Sequence, residues 1–150
     1  ERTKPLLRAI PAHSVPGDTH TAEHNGMHID VYRLLHLTQD ISIREIEIRE
    51  LLHQMGHFCW NDEHGPISPE FVVHIVREEG YEKSVARYPS LAEHINKIRD
   101  SDYSFPIIIY KGSIIDGMHR LAKAVLEDET TIKAKWLELI PQEALKQKGT

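Results

Sequence analysis

One short segment combines the side chains and the backbone pattern that bind anions. Residues 116–120 read Asp-Gly-Met-His-Arg and place a carboxylate, an imidazole and a guanidinium next to one another. Arginine can bind two phosphate oxygens at once, and an imidazole adds a further donor. A helix beginning here would direct its N-terminal N–H groups and the positive end of its dipole at the same ligand. The segment therefore predicts an anion site, with a nucleotide or a phosphorylated small molecule as the first candidate ligand.

Residues 116–120 are called the corner below. The residues on either side of the corner predict the elements that would hold it in place. Residues 107–110 are an apolar run between Pro106 and Gly112, which is typical of a buried strand. Lys111-Gly112 predicts a tight turn, and residues 113–116 predict a second short strand. Behind the polar corner, Leu121 and the following apolar residues have helical spacing. The sequence therefore predicts a strand, a turn, a strand and then a helix.

This arrangement resembles the ParB/sulfiredoxin superfamily, a small α/β fold, from about Ile43 to Leu139. The chain is also similar to short stand-alone proteins described as ParB-like nuclease domains. That similarity rests on residues 28–34, on Cys59-Trp60 beside the acidic residues 62–64, and on the corner. The resemblance implies that the corner binds the phosphates of ATP, ADP or CTP, together with Mg²⁺. The predicted cofactor-binding residues are Trp60, Asp116, Gly117, Met118, His119 and Arg120.

Departures from the superfamily patterns narrow the implied activity. Met118 stands where a sulfiredoxin carries its reactive cysteine directly before the His-Arg pair. ParB partition proteins continue into a long DNA-binding and dimerisation region, whereas this sequence ends at Thr150. The closest remaining resemblance is to free-serine kinases, which keep a similar corner and use an upstream acid to activate a hydroxyl group.

The acidic loop at residues 60–64 supplies the other catalytic candidates. Asp62 or Glu63 is predicted to deprotonate an acceptor hydroxyl or to hold Mg²⁺, with His64 as an accessory, and His119 completes the predicted catalytic set. The alternative is a solvated loop whose charges contact nothing. Trp60 is predicted either to stack on a nucleobase or to belong to the core.

The corner side chains also have structural alternatives. Asp116 is predicted either to act as a metal ligand or base, or to satisfy the N–H groups at the helix start. Its carboxylate would repel a phosphate unless a metal ion or Arg120 stood between them. His119 either contacts phosphate or points inward and orients the turn.

The sequence is rich in histidine, and two groups have spacings that could suit a metal. His20, His24 and His28 are four residues apart, and His53, His57 and Cys59 follow later. Helical i and i+4 histidines can share a metal ion. Glycine interrupts both groups, however, at Gly26 and Gly56. We therefore predict no metal site built by these histidines.

Composition restricts the function classes. The formal net charge is −5, from 18 basic and 23 acidic residues, which argues against a surface that coats nucleic acid. A single cysteine excludes an internal disulfide and favours a cytoplasmic location. No apolar run approaches the roughly 20 residues of a membrane helix, so no membrane partner is expected. The sequence does not decide whether copies of the chain form a homo-oligomer.

The predicted fold is a single α+β (α/β) domain with a small mixed β-sheet and helices packed on it. Its bounds are residues 28–142, after an irregular arm over residues 1–27 and before a C-terminal tail over 143–150. Further predictions are a helix over 28–39, a strand near Ile46, a loop from Phe58 to Pro69, and a helix that begins at Ser68-Pro69 and stops at Gly80. Ser90 is predicted to cap another helix, and residues 131–140 are predicted to form a last strand.

Three functions remain open at the level of sequence. The first is an enzyme that transfers phosphate from a nucleotide to a small hydroxyl-bearing metabolite, or hydrolyses the nucleotide. The second is a non-catalytic module that senses a nucleotide or docks a partner at the same corner. The third is the metal-dependent nuclease that the family label implies, against which the acidic composition counts.

Overall fold

The computed structural model describes residues 21–146, and predictions for residues 1–20 and 147–150 lie outside that range. The strands are β1 (Thr21–His24), β2 (Met27–Asp30), β3 (Arg44–Glu47), β4 (Trp60–Asp62), β5 (Gly65–Ile67), β6 (Ile107–Tyr110), β7 (Ser113–Asp116) and β8 (Thr131–Leu137). The α-helices are α1 (Val31–Leu37), α2 (Pro69–Glu79), α3 (Tyr81–Arg87), α4 (Ala92–Asp100) and α5 (Met118–Leu126). Short 3-10 helices cover Ile48–Glu50, Leu52–Gly56, Pro89–Leu91 and Gln142–Ala144.

The central sheet has four strands in the order β3-β8-β6-β7. Strand β8 pairs antiparallel with β3 and parallel with β6, and β6 pairs antiparallel with β7. The hairpins β1–β2 and β4–β5 form two separate two-stranded sheets. A small mixed sheet with packed helices confirms the predicted α+β single domain.

Side chains bury both faces of strand β6, which explains why its sequence is a continuous apolar run. Ile107 and Ile109 point into a core with α2, α4 and α5, whereas Ile108 points into a second core with α1 and β2. All three residues are fully buried. Successive residues of a strand face opposite sides, so a strand covered on both faces needs apolar residues at every position.

The start of α2 follows the capping rules that predicted it. The Ser68 hydroxyl accepts a hydrogen bond from the backbone N–H of Phe71, and Pro69 takes the first helical position. The helix ends at Gly80, whose φ of 86° lies in the left-handed region. These local signals suffice to fix both ends of the helix.

Four predictions of local structure are wrong. Residues 21–24 form β1 and not an irregular arm, because Asn25-Gly26 adopts positive φ angles and makes a hairpin turn. The helix predicted over 28–39 begins at Val31, after β2, because the Asp30 side chain caps it. The loop predicted from Phe58 to Pro69 contains the β4–β5 hairpin. Leu91 and not Ser90 is the N-cap of α4, because the Ser90 hydroxyl donates to Asp62.

One charged side chain is buried in the second core. Lys135 on β8 is 3% exposed, and its Nζ donates to the Thr38 carbonyl oxygen, 2.8 Å away, at the end of α1. Burial lowers the pKa of Lys135, and the nearby carboxylate of Asp40 offsets part of that effect. Among residues 21–146, no helix is both long and apolar enough to cross a membrane.

Candidate functional site

Gly117 forms the corner between β7 and α5, and only glycine fits there. Its φ is 112°, a conformation that side-chain-bearing residues rarely adopt. A Cβ atom at this position would lie 2.7 Å from the Cβ of Ile107 on the neighbouring strand. The helix therefore begins directly against the sheet, and its N-terminal turn carries Met118, His119 and Arg120.

Arg120 turns inward to the protein. Its Nη2 donates to Oδ2 of Asp116 at 2.7 Å, and its Nη1 donates to the Pro106 carbonyl oxygen at 2.8 Å. Both side chains of this ion pair are buried, at 10% and 4% exposure. The pair ties the first turn of α5 to β7 and to the residue before β6. Arg120, which the sequence predicted as a phosphate ligand, therefore has contacts that fix the corner.

His119 belongs to a stack of three rings. Its imidazole lies on the indole of Trp60, with the ring centroids 4.3 Å apart and the planes 10° apart. His94 from α4 lies on the same indole at 4.6 Å and 9°. The two imidazoles are nearly coplanar, and Nδ1 of His94 lies 3.0 Å from Nε2 of His119. Trp60 is thus a buried platform for two histidines.

A backbone carbonyl fixes the direction of the hydrogen bonds in this stack. Nε2 of His94 lies 3.0 Å from the carbonyl oxygen of Asn61, which can only accept. His94 therefore carries hydrogen on Nε2. When both rings are neutral, Nδ1 of His94 accepts, and Nε2 of His119 donates to it.

The acidic loop stabilises the hairpin that carries Trp60. Oδ1 of Asp62 accepts from the backbone N–H of His64 at 2.7 Å and closes the β4–β5 turn. Its Oδ2 accepts from the hydroxyl of Ser90, just before α4. Glu63 is exposed and lies 3.6 Å from the imidazole of His64. These contacts fasten the hairpin that carries Trp60 to the helix that carries His94.

A large open groove runs in front of the stack. Its volume is about 1570 Å³, and it extends from β1 past the corner to the end of α4. All six predicted cofactor-binding residues, Trp60 and residues 116–120, line the groove. The predicted catalytic carboxylates Asp62 and Glu63 are not among its lining residues. The structure thus brings the corner and Trp60 together and leaves the two acids on the hairpin turn.

Gln54 holds one wall of the groove. Its side-chain amide donates to the carbonyl oxygen of Gly112 at 2.5 Å and accepts from the N–H of Ile114 at 2.8 Å. Gln54 is buried and satisfies the outer edge of β7 much as a further strand would. The short helix over 52–56 is thereby joined to the turn between β6 and β7.

The described part of the chain contains no group of three or more His, Cys, Asp or Glu side chains that could hold a metal ion. His53 and His57 meet edge to face, and His24 lies against Tyr110. His20 lies outside the described residues. A cation in this groove would therefore depend on ligands that another molecule brings, such as phosphate oxygens.

Sequence reasoning missed His94 and the carbonyl of Asn61. His94 lies 25 residues from His119 and 33 residues from Asn61, so no local spacing connects them. The one available signal was the position of His94 on the amphipathic helix α4, one residue before the buried Ile95.

No protein-family model, no curated protein and no solved structure matches this chain.

Proposed function

We propose that the chain binds the phosphate groups of a nucleotide such as ATP, ADP or CTP at the start of α5. The accompanying reaction would be transfer of phosphate to a small hydroxyl-bearing metabolite, or hydrolysis of the nucleotide. The observation that carries the proposal is the position of His119. A paired and stacked imidazole stands on the first turn of a helix at the wall of a large groove. The sequence resemblance to the ParB/sulfiredoxin superfamily points to the same ligand.

Three properties of the corner support an anionic ligand. The helix dipole gives the start of α5 a partial positive charge. The turn at Gly117 places residues 117–120, which begin α5, on the groove wall. The groove, at about 1570 Å³, exceeds the usual 300–1,000 Å³ of small-molecule sites and has room for a whole nucleotide.

His119 is the proposed acid-base residue. Its imidazole lies on the groove wall, where it can accept a proton from an acceptor hydroxyl or a water and afterwards donate it to a phosphate oxygen. Mg²⁺ would arrive with the nucleotide and neutralise phosphate charge. A nucleotide ligand also favours a cytoplasmic location.

A non-catalytic nucleotide sensor is the second candidate, and one observation favours it. Asp62 and Glu63, the predicted activators of an acceptor hydroxyl, hold a hairpin turn and do not line the groove. If their role is structural, binding without turnover follows unless His119 acts as the base. The two candidates therefore differ in turnover and share the binding site.

Titration calorimetry with ATP, ADP and CTP in the presence of Mg²⁺ tests the proposal. Loss of a charge-assisted hydrogen bond costs about 1.5–3 kcal/mol, so His119→Ala should weaken binding roughly 10- to 150-fold. The matched control is His74→Ala, which removes an exposed histidine from α2. Phosphate release and transfer, followed by phosphorus NMR, separate the enzyme from the sensor. Absence of binding to all three nucleotides would refute the proposal.

A further inference from the structure

We infer that Lys97 on α4 supplies the positive charge that binds the phosphate oxygens of a ligand at the start of α5. The inference rests on the proposed function, because it concerns how the same site recognises a phosphate group. It assigns this charge to a helix other than the one that carries the corner. It also replaces Arg120, the phosphate ligand that the sequence predicted, with a residue that the sequence did not single out.

Lys97 lies on the face of α4 that meets His119. Three residues earlier, His94 places its Nδ1 3.0 Å from Nε2 of His119. Four residues later, Ser101 ends the helix, and its hydroxyl oxygen lies 3.3 Å from the carbonyl oxygen of His119. Residues three and four apart share one face of a helix. Lys97 therefore stands between two residues that contact the first turn of α5, and it lines the groove together with His119.

The other lysine and arginine side chains near this turn are engaged inside the protein. Both donating nitrogens of Arg120 bind buried acceptors. The ammonium of Lys123 donates to two backbone carbonyl oxygens at the end of α4, at 2.7 and 2.9 Å. Within residues 21–146, the one polar contact of the Lys97 ammonium is with Glu93, at 3.2 Å. Lys97 is thus the cation of this region that can turn to a ligand at the least cost.

The pair of Lys97 and Glu93 lies at the surface and is easily exchanged for a stronger one. The two side chains are 47% and 75% exposed, and exposed pairs four residues apart on a helix contribute little to stability. A phosphate group carries up to about two negative charges and offers several acceptor oxygens. A lysine ammonium has three donors on a flexible stem, so it can leave the Glu93 carboxylate for such a ligand.

Two further carboxylates on the groove wall at the end of α4 already have partners. Asp100 lies 3.2 Å from Nε of Arg99. Oδ1 of Asp102 accepts from the backbone N–H of Ser104 at 3.0 Å and from its hydroxyl at 2.6 Å. Glu93 is therefore the acid with which a phosphate group competes for the ammonium.

Calorimetry with ADP and Mg²⁺ on four variants tests the inference. Lys97→Met should weaken ADP binding roughly 10- to 150-fold, the range for loss of a charge-assisted hydrogen bond. Lys97→Arg keeps the charge and should lose much less affinity. Glu93→Gln removes the competing carboxylate and should bind ADP more tightly than the unmodified chain. The matched control is Lys111→Met, which removes the other lysine of the groove wall, over the ring of Tyr110, and should leave the affinity unchanged.

The dependence of affinity on salt gives a second readout. Mobile ions screen the attraction between an exposed ammonium and a phosphate group. Raising the salt concentration should therefore weaken ADP binding to the unmodified chain more than binding to Lys97→Met. A residue that acted only by packing would leave this dependence unchanged.

The outcomes separate the inference from the proposed function. Equal ADP affinity of Lys97→Met and the unmodified chain would overturn the inference and leave the proposed function standing. Equal losses in Lys97→Met and Lys111→Met would also overturn it, because only the net charge of the groove would then matter. Absence of ADP binding to the unmodified chain would instead refute the proposed function.

Discussion

The buried pair of Asp116 and Arg120 gives a prediction that separates a structural role from a ligand-binding role. Arg120→Met keeps the length of the side chain and removes its charge. It deletes the 2.7 Å contact with Asp116 and the 2.8 Å contact with the Pro106 carbonyl oxygen. The Asp116 carboxylate, at 4% exposure, then stays buried without the guanidinium. The corner that carries His119 depends on this ion pair.

The magnitude follows from this burial. Breaking a buried ion pair by removing one partner costs about 3–5 kcal/mol, against a total stability of roughly 5–15 kcal/mol. In a chain of this length that corresponds to a fall of roughly 6–20 °C in Tm. The double variant Asp116→Asn with Arg120→Met removes both charges and should be more stable than Arg120→Met alone.

Urea unfolding, followed by circular dichroism, measures these differences. The control is Arg99→Met, which breaks an exposed pair with Asp100 and should cost no more than about 1 kcal/mol. The reasoning is refuted if Arg120→Met is as stable as the control. If that stable variant also loses ADP binding, Arg120 is a ligand contact, as the sequence resemblance implied.

Two further predictions concern the backbone of the corner and the buried lysine. Gly117→Ala combines a strained φ with a clash against Ile107, so it should lower the free energy of unfolding by about 2–5 kcal/mol, as measured by urea unfolding. The control is Gly26→Ala, which should lower the free energy of unfolding less because a Cβ atom there meets no atom within 4 Å. Lys135 has a lowered pKa in the folded state, so between that pKa and its ordinary value of 10.5 the unfolded chain binds more protons. The free energy of unfolding should therefore rise with pH in that window, and this rise should be missing in Lys135→Met; equal pH profiles for the two proteins would contradict it.

The segment from β6 to α5 was predictable because its signals are local. Pro106 and the three isoleucines that follow specify a strand buried on both faces, and Gly112 and Gly117 adopt positive φ angles in the turns. The same holds for α2, whose cap and terminating glycine lie within its own sequence. Where each residue's neighbours in sequence decide its conformation, the prediction is confirmed.

The β4–β5 hairpin was missed for a physical reason. Its strands have three residues each, which is too short for an alternating pattern, and Pro66 sits in one of them. Proline is tolerated there because β5 is an edge strand of a two-stranded sheet. The hairpin is held by the contact of Asp62 with Ser90 and by the contact of Asn61 with His94 of α4, and no local sequence pattern predicts either.

In the candidate site, too, only the residues with local sequence signals were predicted. The corner residues were found because they are consecutive, whereas their partners were not. The direction in which Arg120 turns depends on Pro106, 14 residues earlier, and the position of the His119 ring depends on Trp60 and His94. Sequence identifies which groups can do chemistry, and packing decides which of their atoms remain available for it.

The order of strands in the central sheet has a consequence for synthesis of the protein. Strand β8 is the last of the described strands, yet it lies between β3 and β6. Until residues 131–137 leave the ribosome, β3 and the β6–β7 hairpin lack the strand that joins them. Both of the edges that will receive β8 stay exposed during that interval, and exposed edges are where strands of other chains add. The pairing of residues 44–47 with residues 131–134 also closes a long loop, which slows folding. The central sheet is therefore completed only after residues 131–137 have been made.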